Sequence, residues 1–402
     1  MTVTTTGLFS QLLELIPRGE FSRLVAKHQA ERHAKGFTCF AQFVAMLFCH
    51  LAKADSLREI EHGLRSCGGK LRHLGLAKVP ARSTLSYANA HRPPALFRDL
   101  FFSLLQRLRA ESDFLPRRHR FNFKNRLLSL DATIVHLSLQ LFPWADFNRV
   151  KGGIKVHVVL DHADYLPRYV HIGPVRQHDV RYAQGLSLPA GSIVALDKGY
   201  MDLRMFHRWT SEKVYFVTPL KQPLRFRVAH RRALSAGGAV LSDALIALTG
   251  FEGHRDYPRL LRRIELNVLD RAGEVRRLIL LTNQLDFDAA TIAAIYQERW
   301  QIELFFKALK QNLTLRNFVG ASQPAIEIQI WTALIALLLL KWLHYLSQCR
   351  WSLSNLTGTL RLHLFTHRAL RDFLNAPWDP PPEPDEPAQL SLQFAKLDSR
   401  NN

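Results

Sequence analysis

DAATIAAIYQERWQIELFFKALKQNL, residues 288–313, is the stretch from which the rest of the chain can be understood. Asp288 is a capping residue, good helix formers follow it, and neither Pro nor Gly interrupts the run, which predicts one long helix. At about 100° per residue, Tyr296, Arg299, Glu303 and Lys310 share one edge of that helix. Ala294, Ile295, Ile302, Phe305, Leu309 and Leu313 share another, where a core would hold them. The polar edge offers a carboxylate flanked by two cations and a phenol on a rigid support. A phosphodiester handled at a bound cation needs such groups: an oxygen ligand for the metal, and Arg or Lys for the phosphates. Salt-bridge pairing along a solvated helix would leave the same residues in the sequence, so this edge needs partners elsewhere.

Two further acids stand out by position. Asp131 interrupts an apolar, strand-like run, residues 126–135, and a lone carboxylate is costly to bury there unless something pairs it. Asp197 ends a second apolar run, residues 192–197, before the turn Lys198-Gly199-Tyr200, where a plain turn role would also suit it. Between them, residues 154–160 alternate as a half-buried strand, residues 169–175 read as another, and a short helix starts at His178-Asp179. Residues 202–210 predict a helix and 214–219 a strand. Residues 221–277 are rich in arginine, with a Gly237-Gly238 turn and a predicted hairpin turning at residues 270–273, and read as a β-rich insertion. Three carboxylates converging at a sheet edge would repel one another without cations between them. They form a natural Mg²⁺ site; with two ions about 3.5–4 Å apart, one activates a water or 3′-hydroxyl while the other stabilises the leaving oxygen.

The chain has 402 residues and a formal charge of +20, although residues 379–402 are acidic and proline-rich. So basic a surface implies a polyanionic partner, with nucleic acid ahead of anionic membrane. Residues 1–7 lack the features of a signal peptide, and Trp331–Leu340, ended by Lys341, predicts a buried helix rather than a membrane span. Cys39, Cys49, Cys67 and Cys349 show neither close pairing nor metal-type spacing, which fits a reducing cytoplasm. The histidines offer no zinc pattern, and no glycine loop of the Walker or dinucleotide type exists.

Residues 1–120 read as wholly helical. A helix entered through Arg82, Ser83 and Thr84 would suit a helix-turn-helix reader of the major groove, although helix pairs with basic ends are commonplace. Residues 115–120 form a basic linker. Residues 351–378 make a basic helical segment, and the tail from residue 379 has the composition of a disordered one.

Residues 121–350 resemble the DDE transposases of bacterial insertion sequences, in the family-four subgroup with the signature Tyr-x2-Arg-x3-Glu-x6-Lys. Tyr296, Arg299, Glu303 and Lys310 stand at that spacing. The LDAT around Asp131, the Asp-x-Gly-Tyr element Asp197–Tyr200 and the LLTNQ strand before the helix also match. The resemblance implies an α/β fold: an RNase H-like mixed sheet with flanking helices, a β-rich insertion before Glu303, and a helical N-terminal DNA-binding domain. It implies that Asp131, Asp197 and Glu303 hold two Mg²⁺ ions, for which Mn²⁺ can substitute, and that Tyr296, Arg299 and Lys310 engage the phosphates of the transposon end. The double-stranded DNA of transposon ends and target, a homodimer, no membrane, and a cytoplasmic, nucleoid-associated location follow from it.

Lys155, His157, His178 and Lys198 are candidates for DNA-backbone contact, with ordinary solvated groups as the default. Trp300 reads as a core anchor ahead of a base-stacking role. A Mg²⁺-dependent nuclease without strand transfer and a transposase-derived DNA-binding protein are the alternatives; three retained acids tell against the second.

Overall fold

A computed structural model describes residues 6–378 except 33, 68, 112–120, 138–145, 149–150, 176–177, 221–223, 235–238, 270–273 and 314–316. The basic linker, both predicted turns of the insertion and the acidic tail lie, in whole or in part, outside the described residues.

Six helices come first: α1 Leu8–Glu14, α2 Arg18–Lys27, α3 Cys39–Ala52, α4 Leu57–Arg65, α5 Arg82–His91 and α6 Ala95–Ala110. Strand β1 (Leu127–Leu137) opens the sheet, followed by β2 (Asp146–Asn148), β3 (Lys151–Asp161), β4 (Leu166–Pro174), α7 (Asp179–Gln184), β5 (Ile193–Leu196), α8 (Leu203–Ser211) and β6 (Tyr215–Pro219). The arginine-rich region supplies β7 (Phe226–Arg231), β8 (Val240–Leu248), α9 (Phe251–Asp256), β9 (Leu261–Leu269) and β10 (Val275–Thr282). Helices α10 (Ala289–Glu298), α11 (Trp300–Asn312), α12 (Gln323–Leu346), α13 (Leu353–Leu362) and α14 (Leu370–Asn375) complete it.

Strands β4-β3-β1-β5-β6 form the heart of the sheet: β3 is antiparallel to both β1 and β4, whereas β1, β5 and β6 run parallel. That order and those directions are those of an RNase H-like core. The insertion does not stand apart from it. Strand β10 pairs with β6, and β9, β8 and β7 follow, so core and insertion share one ten-stranded sheet.

Strand β1 is covered on both faces, which is why its sequence is a nearly continuous apolar run. Leu128 and Leu130 belong to the core under α7 and α8, and Leu127 to the core under α10. Helix α12 joins the N-terminal helices to α11 and to β3 in one further core. It spans 24 residues, long enough to cross a membrane, yet 89% of its most apolar window is buried in the protein, as a buried helix requires.

Two expectations change. The predicted long helix is two: around Arg299 the N–H groups of Arg299 and Ile302 bond three residues back, to the Tyr296 and Arg299 carbonyls, at 3.1 Å each. This tightens one turn to three-ten geometry and separates α10 from α11. Nor does a short turn join α4 to α5, as a helix-turn-helix requires; residues 66–81 intervene, with a three-ten turn at Leu71–Leu74.

Candidate active site

The register of parallel strands brings the first two acids together. Leu130 pairs with Leu196, so Asp131 and Asp197, each one residue further, stand side by side where ligands gather at the carboxyl ends of parallel strands. Beyond that point β1 continues against β3 alone, while the chain after Asp197 turns away in a single three-ten turn, Lys198–Tyr200. The Asp131 Oδ1 accepts from the Ala132 N–H at 2.7 Å, and the Asp197 Oδ2 accepts from the Gly199 N–H at 3.3 Å.

The helices contribute the rest. Asp288 caps α10 by accepting from the Thr291 N–H at 2.7 Å, and Ile292, Ile295, Ile302, Phe305, Leu309 and Leu313 anchor the pair in the core. Ala294 is only half-buried and lines a cavity of ≈ 930 Å³ between α10 and the insertion strands. On the polar edge, Arg299 Nη1 donates to Asp131 Oδ2 at 2.8 Å and Nη2 to Glu303 Oε1 at 2.9 Å. The guanidinium carbon lies 5.6 Å from the Tyr296 ring centre. Lys310 Nζ donates to the Ile134 carbonyl of β1 at 2.9 Å. The tightened turn therefore leaves Tyr296, Arg299, Glu303 and Lys310 together on the side facing Asp131.

The electrostatics show how crowded the acids are. Burial pushes Asp131 up to about 6; Arg299 opposes the rise, while the Asp197 and Glu303 carboxylates add to it. Burial also raises the Tyr296 phenol and lowers the Lys310 ammonium. Among the described residues, no three acid, His or Cys side chains are drawn together closely enough to form a ready metal cage. Instead the Arg299 guanidinium bridges Asp131 and Glu303, a built-in cation standing between two carboxylates. Carboxylate oxygens are the donors a hard divalent ion prefers, so the residues present fit such an ion.

The other candidates separate clearly. Lys198 is exposed on the turn after Asp197, and His178 is exposed before α7. Lys155 is instead held by Asp179, Nζ to Oδ1 at 2.7 Å, and His157 is buried against the Tyr200 hydroxyl at 3.1 Å, so neither is a free hand for DNA. Trp300 is not a core anchor: it is 43% exposed, beside Arg299. Asp179 was legible only as a helix start; its pairing with Lys155 depends on where α7 docks.

Fold and site together set two neighbouring acids, Asp131 and Asp197, at the end of parallel strands of an RNase H-like sheet, with the helix acid Glu303 joined to Asp131 through Arg299. Residues 122–339 match the family described as "Transposase DDE domain", and residues 4–77 match "Domain of unknown function (DUF4372)". The chain belongs to the DDE transposases of insertion sequences, of the family-four type. It is 32% identical to "Putative transposase y4zB" of Sinorhizobium fredii, over 65% of this chain and 71% of that one. It is 28% identical to "Probable transposase for insertion sequence element IS5377" of Geobacillus stearothermophilus, over 56% of this chain and 59% of that one. With "Transposase InsG for insertion sequence element IS4" of Escherichia coli it shares 24% identity over 46% of this chain and 42% of that one. Such membership implies action on DNA and dependence on a divalent metal ion.

Proposed function

We propose that this transposase binds the terminal inverted repeats of its own insertion sequence, cleaves DNA there and joins the freed 3′ end to target DNA. The observation that carries this reading is the bridge from Asp131 through Arg299 to Glu303, with Asp197 just past the end of the neighbouring strand. Asp131, Asp197 and Glu303 would hold two Mg²⁺ ions, with Mn²⁺ able to substitute. When bound, such ions activate the attacking hydroxyl and offset charge on the leaving oxygen.

The chain's own residues then bind and orient. Arg299 presents a planar fork suited to a phosphate, Lys310 and Lys198 act as point charges, and Tyr296 holds the guanidinium from below. In this reading residues 1–120 bind the transposon end, and the exposed Arg82, Ser83, Thr84 and Tyr87 of α5 are the side chains available to a groove. Residues 121–350 form the catalytic domain, with the insertion at about 221–277; residues 351–378 add a basic helical segment ahead of the acidic tail, 379–402. Two ends brought together need two copies, hence a homodimer on DNA in the cytoplasm, at the nucleoid and without a membrane partner.

Incubation with the flanking terminal repeats and Mg²⁺ tests the reading. Joined products support it; cuts alone define a nuclease, and shifted but intact DNA defines a binding protein. Asp197→Asn is expected to abolish cleavage while end binding persists; undiminished cutting by that variant refutes the site.

A further inference from the structure

We infer that Lys155, Asp179, His157 and Tyr200 form a positioning unit that fixes the turn carrying Asp197 and shields that acid from a fourth carboxylate. The inference rests on the role proposed above for Asp197.

Lys155 and His157 alternate onto one side of β3, opposite Ile134 and Ala132 of β1; Asp131, opposite Val158, is on the other side. The unit therefore stands behind the sheet, under α7, and not among the three acids. Asp179, the first residue of α7, places Oδ1 2.7 Å from Lys155 Nζ and 4.0 Å from His157 Nε2. His157 Nδ1 lies 3.1 Å from the Tyr200 hydroxyl, and Tyr200 is 1% exposed at the end of the turn that Asp197 begins. Stacking fixes the imidazole: the Tyr182 ring lies 4.7 Å from His157 on one side and 5.2 Å from His171.

Gly199 shows why the pair matters to Asp197. A Cβ built there would lie 3.5 Å from Asp179 Oδ2 and 3.6 Å from Asp197 Oδ2, so the two carboxylates approach the turn together. Like charges flanking one glycine repel unless one is neutralised, and the Lys155 ammonium, 2.7 Å from Asp179 Oδ1, neutralises Asp179. The same pair, through His157 and Tyr200, ties the turn to β3 while the Gly199 N–H holds one Asp197 oxygen. Supporting groups of this kind cost about 10–100-fold in metal affinity or activity when removed.

Cleavage of the terminal repeat, end binding in EDTA and Mn²⁺ titration by electron paramagnetic resonance are measured on the full chain. Lys155→Met is expected to cut about 10–100-fold more slowly and to shift its Mn²⁺ affinity, with end binding unchanged. Adding Asp179→Asn to Lys155→Met removes the uncompensated charge and should recover much of the loss. Tyr200→Phe keeps the ring and its packing, loses only the hydroxyl bonded to His157, and should cut about tenfold more slowly. Normal cleavage and Mn²⁺ binding by both Lys155→Met and Tyr200→Phe would overturn the inference. So would a double variant no better than Lys155→Met alone, or Asp179→Asn as inactive as Asp197→Asn beside a fully active Lys155→Met. Full cutting by Asp197→Asn would instead remove the site reading on which the inference rests.

Discussion

Replacing Asp131 with asparagine should stabilise the metal-free protein, and only above the pH at which the carboxyl ionises. In the fold its pKa rises from 3.8 to about 6, chiefly through burial, with Asp197 and Glu303 adding to a rise that Arg299 only partly offsets. The folded chain thus binds this proton more tightly than the unfolded chain does. Asp131 favours the fold below about pH 4, and that contribution is lost as the pH climbs through about 6. At about 1.4 kcal/mol per pH unit, the ionised carboxylate costs about 3 kcal/mol by pH 8. The amide of Asp131→Asn never ionises, keeps the shape, and can still accept from the Ala132 N–H. Unfolding followed in EDTA should show the two proteins nearly level at pH 4 and the variant ahead by about 3 kcal/mol at pH 8. Saturating Mg²⁺ should reverse the order, because ligand bound only by the native state of the unmutated protein stabilises that state. A variant less stable at pH 8, or a gap identical at both pH values, would refute the reasoning.

Other perturbations test the frame around the site. Arg262, wholly buried, grips Asp243 through two bonds at 2.9 and 2.7 Å, so Arg262→Met should lower stability by about 3–5 kcal/mol. An unchanged melting midpoint would show that Asp243 has found solvent. Lys310→Met should weaken end binding and flatten its salt dependence by about one counterion. An unaltered slope would mean that the ammonium stays with the Ile134 carbonyl rather than a phosphate.

The positions of the acids were legible because each breaks a local pattern. Asp131 sits in an apolar strand that has no use for a charge, Asp197 ends a strand at a turn, and Glu303 follows Arg299 by one helical turn. What escaped was set by tertiary geometry. Helix formers flank Arg299 on both sides, so propensity has no means of marking the tightened turn there. Trp300, expected as a core anchor, is 43% exposed, because its neighbours Arg299 and Glu303 take the side that faces Asp131. Lys155 and His157 alternate as an exposed face should, yet α7 and Tyr200 cover that face, which no local period reveals. The hairpin of β9 and β10 was visible, and so was the return of its LLTNQ strand to the core; that β9, β8 and β7 continue the same sheet was not, since strand partners are chosen by register and not by composition.

The charge balance of the site argues for what it must take up. Asp131, Asp197 and Glu303 bring three carboxylates into mutual influence, and the guanidinium of Arg299 bridges two of them. Lys310, nearby on the same edge, donates its hydrogen bond to the Ile134 carbonyl instead. The rise in the Asp131 pKa shows that one guanidinium does not balance the cluster. A DNA phosphate arriving there adds a further negative charge and competes for Arg299 itself, so the shortage deepens as substrate docks. Divalent ions and DNA should therefore bind cooperatively, each relieving a repulsion that the other would otherwise meet. The apparent affinity for Mn²⁺ should rise when the terminal repeat is present, and Glu303→Gln, with one carboxylate fewer, should shrink that gain. Equal Mn²⁺ affinity with and without the repeat would break the link between the bridged acids and the substrate.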